Sequence, residues 1–113
     1  MLLLDKNNQM LFRDMMFSIK SMQQTLTQES DCPLIKHEKT SQITYVESGS
    51  GICKRGKDEV KLSAGTIVFI AAGTPHSFKA LDSKLLLIHY HWNNEAVVQD
   101  RIIIKPSYSF MEN

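Results

Sequence analysis

The sequence has little of what usually announces a function on its own. Two cysteines, Cys32 and Cys53, in 113 residues exclude a secreted disulfide framework. No C-x-x-C or cysteine–histidine zinc spacing is present. There is no G-x-S-x-G elbow and no glycine-rich phosphate loop; Gly49-Ser50-Gly51 is short enough to be only a turn. Neither sign of charge prevails, with 13 basic against 12 acidic residues and a net charge of +1. A concentrated basic surface for nucleic acid is therefore not expected. The densest positive group, Lys54, Arg55, Lys57 and Lys61, is interrupted by Asp58 and Glu59 and reads as a solvated hairpin. The opening leucines, Leu2 to Leu4, are too few for a signal sequence or a membrane span. These absences point to a soluble, cytoplasmic chain. They leave one domain over residues 1–113, long enough to bury a core without a staple.

What is present is a succession of short β-rich segments separated by tight turns, with weak helix signals throughout. Met15 to Leu26 reads as a strand, because Phe17 and Ile19 alternate with Ser18 and Lys20. Ile43 to Val46 is the next, followed by a turn at 47–51, a short strand at Ile52 to Lys54 and a hairpin tip at 55–59. Val60 to Leu62, Thr66 to Ile70, His76 to Lys79, Lys84 to Trp92 and Arg101 to Lys105 complete the set. Seven to nine such strands predict a sandwich or a closed barrel whose inner face can hold one small ligand.

The chemistry-bearing residues concentrate on the predicted inner faces. The stretch GTIVFIAAGTPH, from Gly65 to His76, is a buried strand running into a stiff turn that delivers a histidine. Gly73 and Pro75 restrict the backbone there and fix the direction of His76, with Phe78 on the same strand face. If Gln42 faces inward, Thr44 and Val46 do as well, and His37 lies just upstream. Leu85, Leu87, His89 and His91 share one face of the most apolar strand. His37, Gln42, Thr44, His76, Phe78, His89 and His91 are the candidate pocket residues, and no catalytic residue is identified. Two imidazoles suit Zn, Fe, Ni or Cu. The interior is expected to take either no cofactor or one divalent transition metal (Fe, Ni, Zn or Mn) on His37, Gln42 and His76. Gln42 is a poor third ligand because it brings no charge.

On these residues the chain resembles the cupin superfamily. Gly65, Gly73 and His76 match that family's second motif, G-x5-P-x-G-x2-H-x3-N, while Ala71 and Ala80 replace its proline and asparagine. Anchored at Gly49, the first motif places Gln42 at the family's glutamate, His37 at its second histidine and Ile35 at its first. Two of four customary metal positions are thus changed. The resemblance covers roughly residues 30–92 and implies an all-β, small cupin-type barrel, a double-stranded β-helix or jelly-roll. Within that superfamily, residues 61–92 look most like the small-molecule-sensing domain of AraC-type transcription regulators. That likeness implies a small polar molecule in the barrel, a possible N-terminal arm at 1–14 and no DNA-binding part in this stretch, with 95–113 a C-terminal extension.

Three functions follow. The first is a sensory or ligand-binding module, either excised from a regulator or free-standing. The second is a metal-dependent cupin enzyme, a dioxygenase, isomerase or lyase, using His37, His76 and one of His89 or His91. The third is a metal-free structural dimer. The apolar ends, Leu2 to Leu4 and Ile102 to Ile104, predict a homodimer in which a terminal strand pairs with a second subunit.

Overall fold

A computed structural model describes residues 19–92, 100–108 and 110. Among them are nine strands: β1 (Lys20–Leu26), β2 (Leu34–His37), β3 (Ser41–Ser48), β4 (Ser50–Arg55), β5 (Asp58–Ser63), β6 (Ile67–Ile70), β7 (His76–Ala80), β8 (Leu85–Trp92) and β9 (Arg101–Lys105). They form two antiparallel sheets. One has the order β1-β8-β3-β6 and the other β5-β4-β7-β2-β9. This is an all-β jelly-roll. Among the described residues no helix is long and apolar enough to cross a membrane.

The expected alternation holds on β3, where Gln42, Thr44 and Val46 are buried and their neighbours are not. The same is true of β8, where Leu85, Leu87 and His89 are buried. β1 begins at Lys20; the expected start at Met15 and the segment 1–14 lie outside the described residues. β2 was not read as a strand. All four of its residues are half-buried, so the alternation that reveals a strand is missing. The strand expected at Arg101 to Lys105 is β9, and it pairs with β2.

The interior changes character along its length, and the register shows how. Val46 stands opposite Leu87, Thr44 opposite His89 and Gln42 opposite His91. On the facing sheet, Gly51 stands opposite Ala80, Cys53 opposite Phe78 and Arg55 opposite His76. One end of the space between the sheets is therefore apolar, built on Leu26, Val46, Cys53, Leu62, Val68, Ala80, Leu85 and Leu87. Leu85 and Leu87 are 0% and 1% exposed, and each contributes about 2 kcal/mol by burial. The other end is lined by histidine and carboxamide. The apolar end holds the sheets together, so the polar end is free to carry a site.

Candidate functional site

All four histidines of the chain meet at the polar end, although they come from three strands in two sheets. The His37 ring centroid lies 5.6 Å from that of His76 and 5.2 Å from that of His91. His91 lies 5.9 Å from His89, His89 lies 5.2 Å from Phe78, and Phe78 lies 6.1 Å from His76. These five rings close a circuit. Gln42 and Thr44 complete the wall from β3, so every candidate pocket residue borders this one space.

The β6–β7 turn is held in place from several sides, which is why His76 has a defined direction. Gly73, at φ 84°, donates its N–H to the His37 carbonyl at 2.6 Å. Ala72 N–H donates to Ser41 Oγ at 3.1 Å. Gly56 N–H donates to the Pro75 carbonyl at 2.8 Å, tying the same turn to the β4–β5 hairpin. Arg55 extends from that hairpin and donates to the Phe69 carbonyl at 3.2 Å, bridging to the other sheet.

Each histidine's second nitrogen determines what it can do. His76 Nδ1 lies 2.9 Å from the Thr74 carbonyl oxygen, which can only accept. Nδ1 therefore carries the proton, and Nε2 keeps a lone pair. His37 Nδ1 lies 3.5 Å from Asp100 Oδ1. Asp100 is itself fixed by the Lys39 N–H at 2.6 Å and the Thr40 hydroxyl at 2.9 Å. Burial of Asp100 disfavours its charge, but these bonds and the nearby His37 outweigh that and hold the carboxyl below its usual value. The His89 nitrogens are both committed, Nδ1 to Thr44 Oγ1 and Nε2 to Gln24 Oε1, each at 2.7 Å.

Burial keeps the cluster neutral. Desolvation is the main cause at each ring, with neighbouring imidazoles adding to it at His76, His89 and His91 and pushing those three down to about 4. At His37 burial lowers the value, Asp100 opposes it, and the net direction is down. Neutral imidazoles offer lone pairs at pH 7, as a nitrogen ligand must. An Nδ1–H held by a carbonyl or carboxylate is also the usual outer support of a metal-binding histidine. The donor chemistry of His37 and His76 thus fits a divalent transition metal, and His91, with no ring hydrogen bond to a described residue, is a third candidate. Among the described residues, however, no three or more His, Cys, Asp or Glu groups converge as a ready metal cage.

Ile35, at the family's first histidine position, stands opposite His76 in the register. His91, from β8, brings a third ring to within 5.2 Å of His37. Sequence reading passed over three residues of this environment: Gln24, Asp100 and Arg55. Gln24 carried a signal, since it shares the strand parity of buried Leu26. Asp100 and Arg55 carried none, because only the fold brings them here.

A family model described as a cupin domain matches residues 22–96. The chain belongs to the cupin family. None of the curated proteins matches it in sequence. It is similar in fold to a cupin protein from Bacteroides fragilis, at 18% identity and a TM-score of 0.62, over 72% of this chain and 70% of that one. It also resembles a predicted oxalate decarboxylase from Thermotoga maritima, at 23% identity and a TM-score of 0.64, over 72% of each chain. The DMSP lyase DddQ from Ruegeria pomeroyi matches at 16% identity and a TM-score of 0.68, over 81% of this chain but only 46% of the lyase.

Proposed function

We propose that the chain is a metal-dependent cupin enzyme, of the dioxygenase, isomerase or lyase kind, that takes one divalent transition metal (Fe, Ni, Zn or Mn) on His37, His76 and His91. The observation that carries this reading is the meeting of three neutral imidazoles from β2, β7 and β8, two of them with Nδ1 turned to an acceptor and Nε2 left over. His89 is not in the set, because both of its nitrogens are already bonded. Two of the structures that the chain resembles bear enzyme names, a lyase and a predicted decarboxylase, which supports the reading. When bound, such a metal supplies Lewis-acid polarisation of a substrate oxygen and, for iron, open positions for oxygen chemistry.

The chain's own groups supply the surroundings. Asp100 and the Thr74 carbonyl orient two of the rings. Phe78 packs against the His76 and His89 rings beside the apolar end. Gln42 contributes no negative charge, so a bound cation is less neutralised here than beside a carboxylate. Covalent catalysis by thiol has no support, since burial pushes the Cys53 thiol up to about 12.

The test is elemental analysis of protein purified without chelator. Stoichiometric metal in the wild type, lost in both His76→Ala and His91→Ala, is the expected result. No metal, together with no thermal shift on adding any of the four, overturns the reading.

A second reading is a sensory module of the AraC type that holds a small polar molecule without metal. The carbonyl of buried Gln42, with no hydrogen-bond partner among the described residues, favours it, since it suits a ligand hydroxyl. Its mark is a melting temperature that rises with ligand concentration in metal-free protein, screened first with a panel of sugars.

A further inference from the structure

A hydrogen-bond chain crosses three neighbouring strands behind the histidine cluster. Gln42 Nε2 on β3 donates to Thr44 Oγ1 at 2.9 Å. Thr44 Oγ1 lies 2.7 Å from His89 Nδ1 on β8, and His89 Nε2 lies 2.7 Å from Gln24 Oε1 on β1. Its direction follows from what each atom can do. A carboxamide oxygen only accepts, so His89 Nε2 carries the proton and Nδ1 of the neutral ring is an acceptor. The Thr44 hydroxyl must then donate to Nδ1, which leaves its oxygen to accept from Gln42. Gln42 Nε2 also lies 3.4 Å from the same Nδ1, as a donor should.

The chain uses the nitrogen end of the Gln42 carboxamide and leaves the oxygen end over. Gln42 is 2% exposed, and its Oε1 is buried with no hydrogen-bond partner among the described residues. Leaving such an acceptor buried and unmatched is costly, and a guest that matches it recovers the loss. Nearby, His76 Nε2 keeps a lone pair, since Nδ1 carries the ring proton, and His91 stands opposite Gln42 in the register.

We propose that His89 and Thr44 are positioning residues that fix Gln42 with Oε1 presented to the site, so that the family's carboxylate position offers a neutral oxygen acceptor. The site then selects a guest that brings positive charge or an N–H or O–H donor. This rests on reading the histidine-lined end as the site, but not on the guest being a metal.

The test begins with the protonation of the rings. Long-range nitrogen–proton NMR of the 15N-histidine-labelled full chain distinguishes the two imidazole tautomers. His89 is expected as the Nε2–H tautomer and His76 as the opposite, Nδ1–H. A His89 Nδ1–H tautomer reverses the chain, turns the Gln42 NH2 group to the site and overturns the proposal. The second measurement is calorimetric titration with Ni(II). Thr44→Val removes the donor and is expected to weaken binding by about tenfold or more, while Thr44→Ser restores it. Unchanged affinity in Thr44→Val, or equal loss in both variants, also overturns the proposal. A wild type that binds no Ni(II) defeats the metal reading of the site and leaves the tautomer of His89 to decide this one.

Discussion

Four imidazoles held neutral in one space make this protein sensitive to acid at the scale of single residues. The native values of His76, His89 and His91 are depressed to about 4, mainly by burial. In the unfolded chain each returns to about 6.5. Between those values the unfolded state binds more protons than the native one, so stability rises with pH. The contribution is complete above about 6.5, is lost progressively as pH falls toward 4, and falls no further below that. Each ring steepens that rise within the window. Chemical denaturation at a series of pH values is expected to show this slope, and His91→Asn to reduce it. A profile that is flat from pH 6.5 to 4.5 contradicts the neutral cluster.

At the scale of elements, two glycines illustrate different constraints. A Cβ built on Gly51, within β4, collides with the Lys79 carbonyl oxygen and falls 2.7 Å from Leu85 Cδ2. The backbone atom cannot yield, so β4 and β7 must separate. Gly65, in the turn before β6, has φ +92° but nothing within 4 Å of its Cβ. Gly65→Ala is expected to cost only the left-handed backbone, about 1–2 kcal/mol. Gly51→Ala should cost more, about 3 kcal/mol by overpacking, and lower the melting temperature further. Thermal denaturation of both variants decides the order, and the reverse order contradicts the close approach of β4 and β7.

For the whole molecule, the exposed surface bears on self-association. β9 ends its sheet, and among the described residues its outer edge has no partner strand. Ile102, Ile103 and Ile104 are all exposed there. An unpaired edge with apolar side chains on both faces is the kind of surface a second copy covers. The outer face of the other sheet is also apolar, with Ile67 and Phe69 exposed and Phe69 stacked on Trp92, but on that face only side chains lack cover. The homodimer is therefore expected through β9. Light scattering after gel filtration should give about twice 12.9 kDa at micromolar concentration, and Ile103→Lys should return the monomer while Phe69→Lys does not. A monomeric wild type removes the expectation, and dissociation by Phe69→Lys moves the interface to the sheet face.

The sequence by itself determined the all-β architecture, the inward face of β3 and β8, and the turn that delivers His76. These features depend on period-two alternation and on local turn chemistry, both of which are written along the chain. It did not determine β2, whose four half-buried residues show no alternation. Nor could it choose between His89 and His91, which share one strand face two residues apart. Only the tertiary structure gives the two different surroundings, because it places Thr44 and Gln24 on either side of His89 and sets His91 beside His37. Those relations join residues about 50 or more positions apart through sheet register, and register belongs to the folded chain rather than to any local segment of it.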